Sequence, residues 1–137
     1  MAEKKLTFNL VTPQKQLVDS LPVDMVILPA LMGEMGILPG HIQTLVQLGM
    51  GSLRYKQGEK IENFAVLGGF AEVVNDVVNV FAEGADLAGE IDEESEKQRI
   101  KALKESLSKK DADIDFELAE LEIKQALTRM KVKKRRF

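Results

Sequence analysis

The residues able to do acid–base, nucleophilic or metal chemistry are few and scattered. His41 is the single histidine. A zinc site built on it needs three carboxylates beside it, an uncommon donor set for that metal. The chain has no cysteine, which excludes disulfides, thiolate metal sites and cysteine nucleophiles together. Ser52, Ser95, Ser106 and Ser108 stand in no nucleophile motif. Asp and Glu number 22, yet no pair among them is set apart by its surroundings. The strings Gly33-Glu34-Met35-Gly36 and Gly49-Met50-Gly51 lack the lysine and the following helix of a phosphate-binding loop. No catalytic residue, metal or cofactor is expected.

What remains are features suited to docking. Gly33-Glu34-Met35-Gly36-Ile37-Leu38-Pro39-Gly40-His41 forms one compact segment. Its plain reading is a turn, since Gly permits positive φ and Pro fixes φ. A lone His in a turn ordinarily lies at the surface or in a hydrogen bond. Its functional reading is a recognition loop at one end of a β-fold, offering the Glu34 carboxylate and the His41 imidazole. The chain end carries Lys131, Lys133, Lys134, Arg135 and Arg136. Nucleic-acid binding would call for a broad basic face with interleaved aromatics. The rest of the tail is acid-rich, so a solvated helix end or an acidic protein surface fits better.

These features need elements to hold them. Leu6, Phe8, Leu10 and Thr12 alternate with Thr7, Asn9 and Val11, a strand ended at Pro13. Val23, Met25 and Ile27 alternate with Asp24, Val26 and Leu28, a second strand closed by Pro29. Met35 to Leu38 is a short apolar run, and residues 42–50 fit a strand. Leu53 and Tyr55 lead to a hairpin turn at Gln57-Gly58-Glu59-Lys60, with Ile61, Phe64 and Val66 on the return. Phe70 to Val74 and Val77 to Phe81 flank a turn at Asn75-Asp76. Gly68-Gly69 inside a strand pattern implies a bulge or a close backbone approach. Seven or more short strands in this half favour a sandwich or barrel.

The texture changes at residue 90. Residues 1–89 carry 6 Lys and Arg against 10 Asp and Glu; residues 90–137 carry 13 against 12. Asp92 is placed to cap a helix whose first turn is acidic. Ile100, Leu103 and Leu107 share one face of it. Past a polar connector at Ser108 to Asp111, a second helix starts near Asp113. Phe116, Ala119, Ile123, Ala126, Leu127 and Met130 form one apolar stripe on it, and Ile114, Leu118 and Leu121 another. Two short helices with thin stripes build no core alone, so they need the β-domain or a partner. The expected division is 1–89, a β-domain, and 90–137, a helical tail. No apolar run approaches a membrane span, so no direct membrane insertion is expected. The first residues, Met1 to Lys5, have no apolar signal region, which places the expected site of action in a cytoplasm.

The segment Gly33 to His41 resembles the G-E-x-G-x-x-P-G-H loop of the epsilon subunit of F-type ATP synthases. Thr12-Pro13, Gly68-Gly69-Phe70-Ala71-Glu72-Val73 and Val77 to Ala82 are similar to the same family. So are Ile91-Asp92 and Ala126-Leu127-Thr128-Arg129. The resemblance implies a flattened ten-stranded β-sandwich followed by an antiparallel two-helix hairpin. It implies a non-catalytic rotor subunit between the gamma subunit and the membrane c-ring, peripheral on the cytoplasmic face of the cell membrane. Synthesis there is driven by protons or sodium ions. Glu34 and His41 would face the ring. The tail would inhibit ATP hydrolysis when extended into the catalytic α/β head, with Lys124, Arg129, Lys131, Lys133, Lys134, Arg135 and Arg136 against an acidic segment of the catalytic β subunits. Some relatives bind ATP at the folded hairpin. Ile91, Asp92 and Arg129 match, Asp86 stands where those relatives have a glutamate, and Ser95 and Gln125 stand where they have arginines. Losing two cations weakens phosphate binding, so tight ATP binding is not expected. From the residues alone, the alternative is a stand-alone β-sandwich binding module with a helical oligomerisation tail.

Overall fold

The structure, a computed structural model, describes residues 4–109 and 115–135. Eight strands come first: β1 (Leu6–Val11), β2 (Gln16–Val23), β3 (Met25–Ala30), β4 (Gly33–Ile37), β5 (Thr44–Gln57), β6 (Lys60–Val74), β7 (Val77–Ala82) and β8 (Ala85–Leu87). A short 3-10 turn, Ala88–Glu90, leads to α1 (Glu93–Ser108) and α2 (Phe116–Lys134). The strands form one mixed sheet in the order β2-β1-β7-β6-β5-β3-β4, with β8 also paired to β6. Among the described residues only the β1–β7 pair is parallel.

The sheet folds over on itself at β5 and β6. The end of β6 near Val74 pairs with β7, whereas its start near Phe64 pairs with β8. The two halves face each other across one core. Leu6, Phe8 and Leu10 point into it on alternate positions of β1 and are fully buried. The Phe8 ring lies 5.6 Å from that of Tyr55 on β5, and Tyr55 lies 6.3 Å from Phe64 on β6. Rings at such separations add to the burial of their area.

In place of the expected ten strands, the described residues form eight. β5 and β6 are 14 and 15 residues long and bend without breaking their ladder, so each serves both halves. Glycines make the bend. Gly68 and Gly69 take φ of +96° and +119°, and a side chain on Gly69 would meet the Phe81 carbonyl oxygen at 2.1 Å. The close backbone approach expected from the paired glycines is thus present.

Other boundaries differ from the sequence reading. Residues 16–23 form β2, which the pattern had not revealed, and Val23 belongs to it rather than to the next strand. β3 continues through Pro29, which sits where the β3–β5 register shifts between Ile27 and Ala30. A proline is tolerated at such an irregularity because no ladder hydrogen bond needs its nitrogen. Gly33–Ile37 is a strand, not part of a loop. The turn at Asn75-Asp76 is as expected, with both residues at positive φ.

Asp92 caps α1, its side chain accepting from the amides of Glu94 and Ser95. Ile100 is buried, with Leu103 and Leu107 half-buried beside it. α2 starts behind Asp115, which accepts from the Leu118 amide. Asp113 and Ile114, assigned to this helix from sequence, lie outside the described residues. Arg99 faces Glu122 at 3.8 Å and Lys134 faces Glu93 at 3.2 Å, so the helices run antiparallel. α2, not α1, lies on the sandwich. It covers the outer side of β5 and β6, where Ser52, Arg54, Ala65 and Leu67 are buried although they point away from the main core. Leu127, placed on the packing stripe from sequence, is instead exposed, and Val132 is buried in its stead. No helix of the described residues is long and apolar enough to cross a membrane.

Candidate functional site

The seam between α2 and the sandwich gathers most of the residues singled out above. Its apolar floor is small: Ala65 on β6, Ile91 before α1 and Val132 on α2 pack together, with Ala88 alongside. Asn63 donates to the Val132 carbonyl oxygen at 3.3 Å. So small a floor leaves much of the docking to charged groups around it.

The first charged cluster centres on Arg129. Its Nε donates to Asp86 Oδ2 on β8 at 2.8 Å, and its Nη1 faces Glu96 Oε2 on α1 at 3.6 Å. The Arg129 and Glu96 side chains are only 17% and 15% exposed. Glu96 Oε2 is buried and has no hydrogen bond among the described residues. At 3.6 Å its contact with Arg129 is electrostatic rather than a formed hydrogen bond. One guanidinium thus ties three elements: β8, α1 and α2. A charge pair this shielded is screened less than a surface pair.

The second cluster centres on Glu34. Its Oε2 accepts from Arg54 Nη2 at 2.8 Å, and its Oε1 faces Arg135 Nη2 at 3.6 Å. Arg54 rises from β5 with its side chain 7% exposed, while that of Glu34 is 46% exposed. Arg135 closes the C-terminal end of α2. A third contact, Lys134 with Glu93, joins the two ends of the hairpin. The hydrogen bond from Lys134 holds the Glu93 carboxyl below its usual range, helped by the charges of Lys134 and Lys97. A carboxyl lowered on folding stabilises fully above its unfolded pKa, so this contact is lost only as pH falls through the lowered value.

Of the four nucleotide-site positions, Asp86 and Arg129 are brought into direct contact. Ile91 is buried against Val132, and Asp92 is engaged as the α1 cap. All three charged members of that group, Asp86, Asp92 and Arg129, are already engaged within the protein. His41 is not brought to Glu34. It sits past the far end of β4, its Nδ1 2.8 Å from the Ile42 carbonyl oxygen. Its loop is tied to the β6–β7 turn by the Gly40 amide, which donates to Asp76 Oδ1 at 2.7 Å. Of the basic residues, Lys124, Lys131 and Lys133 are exposed on α2, while Arg129, Lys134 and Arg135 are engaged. Arg136 lies outside the described residues.

Sequence reasoning missed Arg54, Glu93 and Glu96 as members of these clusters. A signal for Arg54 was available. Arg54 lies one pair beyond Leu53↔Phe64, at the end of Phe64-Ala65-Val66-Leu67, an unbroken apolar run of the kind that marks a strand covered on both faces. No group of His, Asp or Glu among the described residues is arranged to hold a metal ion.

Comparison with known proteins agrees with this architecture. Residues 5–88 match the family model described as ATP synthase, Delta/Epsilon chain, beta-sandwich domain. The chain is 46% identical over 109 residues to the ATP synthase epsilon chain of Elusimicrobium minutum, covering 80% of this chain and 81% of that one. It is 37% identical over 132 residues to the epsilon chain of Syntrophobacter fumaroxidans, covering 96% and 97%. In fold it is similar to a chain of the Euglena gracilis mitochondrial ATP synthase OSCP/F1/c-ring structure, with TM-score 0.70, 24% identity and coverage of 95% and 78%. It is also similar to a chain of the Tetrahymena thermophila mitochondrial ATP synthase central stalk and c-ring, with TM-score 0.64, 14% identity and coverage of 98% and 100%.

Proposed function

This chain belongs to the family of ATP synthase epsilon chains, and from that we propose that it is a rotor subunit whose helical tail brakes ATP hydrolysis. The subunit carries no chemistry of its own. Residues 1–89 couple the gamma subunit to the c-ring during proton- or sodium-driven synthesis, and residues 90–137 regulate. The protein sits peripherally on the cytoplasmic face of the membrane. Glu34 and His41 meet the polar loops of the ring, where a carboxylate and an imidazole suit basic and polar partners. The gamma subunit takes the outer face of the half that α2 leaves open, formed by the start of β5, the end of β6 and β7. That assignment rests on Leu45, Phe70 and Phe81, large apolar residues left exposed, with the two Phe rings 5.1 Å apart.

The observation that carries the regulatory reading is the seam itself. A tail held by one small apolar cluster, Ile91 and Val132 against Ala65, and a few ion pairs is poised between two dockings close in free energy. Phe116, Leu118, Leu121 and Leu127 stay exposed on α2 in the folded-down form. They are available to a second docking surface in the catalytic head. There Lys124, Arg129, Lys131, Lys133, Lys134, Arg135 and Arg136 meet acidic segments of the α/β subunits. The test of the rotor assignment is co-purification. The chain is expected to elute with a gamma subunit as a stable pair. Elution alone, or as a homo-oligomer, would favour a free-standing binding module instead.

Nucleotide control is not expected. Arg129, the arginine retained at the hairpin, is neutralised by Asp86 and Glu96, and Ser95 and Gln125 supply no replacement charge. An incoming phosphate would have to displace two carboxylates from Arg129. Isothermal titration of the isolated subunit with ATP is expected to give no heat of micromolar-affinity binding. A micromolar dissociation constant would overturn this part of the reading.

A further inference from the structure

The Glu34 carboxylate has two different faces. Oε2 is anchored at 2.8 Å by Arg54, a guanidinium buried beneath α2. Oε1 points outward to Arg135, whose Nη2 stands off at 3.6 Å and whose side chain is 40% exposed. The anchored oxygen fixes the carboxylate's orientation; the outward one is held loosely. A cleft of about 440 Å³ lies beside the pair, between Pro29, Gly51 and Ser52 of the sandwich and Thr128, Lys131 and Arg135 of α2. A group can therefore reach Oε1 without unpacking either element.

We propose that Glu34 Oε1 is a contact contested by the tail and the membrane ring, so that ring docking and the folded-down tail oppose one another. This rests on the reading that Glu34 faces the ring. A basic or polar ring-loop group taking Oε1 displaces Arg135 while Arg54 keeps Oε2. Arg135 ends α2, and its amide bonds to the Val132 carbonyl oxygen at 3.2 Å. Releasing it loosens the turn that carries both Val132, packed on Ala65, and Lys134, paired with Glu93. Engagement with the ring thus loosens the end of the helix that must detach for the tail to extend. By linkage, a docked tail weakens ring binding by the same factor. For a pair this exposed the factor is about two- to five-fold.

The experiment is re-binding of the catalytic head, reconstituted with variant subunits, to membranes stripped of it but retaining the ring. Ionic strength is held constant, because exposed pairs are screened by salt. Gln is chosen at position 34 because its amide oxygen still accepts from buried Arg54. E34Q is expected to weaken binding. R135Q, at an exposed position, is expected to strengthen it about two- to five-fold. In the E34Q background, R135Q is expected to change nothing. If E34Q weakens binding but R135Q does not strengthen it, the contested contact is wrong and the ring-facing role of Glu34 survives. If R135Q strengthens binding equally with and without Glu34, a general charge effect explains it and the proposal falls. If E34Q leaves binding unchanged, the ring-facing reading itself fails.

Discussion

Deleting residues 90–137 is expected to leave the subunit assembled in the complex and to raise ATP hydrolysis several-fold. Assembly should survive because the main core is built by the strands alone. Every residue of the cluster around Phe8, Leu28, Leu53 and Val80 lies before residue 90. The helices contribute only Val132 to the smaller cluster, with Ile91. Deletion does uncover Ser52, Arg54, Ala65 and Leu67 on the outer side of β5 and β6, so the truncated subunit should be somewhat less stable and more prone to associate when isolated. The rise in hydrolysis follows from the tail's composition. α2 leaves four large apolar side chains exposed and keeps Lys124, Lys131 and Lys133 free of ion pairs among the described residues. A helix with such surplus apolar and basic surface gains by docking elsewhere. Steady-state hydrolysis by the purified complex, with intact or truncated subunit, measures the effect. Equal rates would count against an inhibitory tail.

Gly69→Ala is expected to destabilise the sandwich by about 2–4 kcal/mol, from backbone strain at positive φ together with forced displacement of β7. The φ of +119° already disfavours any side chain. The added Cβ would also lie 2.1 Å from the Phe81 carbonyl oxygen and 2.9 Å from Ala82 Cα, both backbone atoms that no side-chain rotation can move away. Gly36→Ala is the matched control. Its site is open and its φ is not positive, so a change within about 0.5 kcal/mol is expected, as at ordinary surface sites. Urea unfolding of the isolated subunit reads both. A Gly69→Ala midpoint equal to that of the parent would mean that β7 shifts freely, and that the glycine pair is not what bends the sheet.

Much of the β-fold could be read before the structure because its signals are local. Phe8 between Leu6 and Leu10 is period-two burial, and Asn75-Asp76 is a turn that accepts positive φ. β2 escaped because Gln16 to Val23 alternates poorly: it is an edge strand with one fully buried residue, Val23. The residues alone give seven or more strands, and the count of ten comes from the family resemblance; what the pattern could not show was that two strands run on across glycines. Gly49, Gly51 and the Gly68–Gly69 pair look like ends, yet the β5–β6 pairing runs from Gln57 with Lys60 to Thr44 with Val73.

The site was legible only in part. Arg129 and Asp86 carried family-like spacing and do meet. Their third partner, Glu96, could not be found, because its role depends on how α1 lies against α2, which no local pattern states. Arg54 and Arg135 meet at Glu34 for the same reason: residues from β4, β5 and the end of α2 converge only once the hairpin is laid on the sandwich.

The central claim is that the hairpin docked on the sandwich is the unbraked form and that leaving it applies the brake. The chain has no cysteine of its own, so Asp86→Cys and Arg129→Cys can be joined specifically by a short, reducible thiol crosslinker before the subunit is returned to an epsilon-depleted complex. With the linker intact, hydrolysis should match that of the complex lacking residues 90–137; on reduction it should fall as the tail is freed. The same rate before and after reduction would contradict the account.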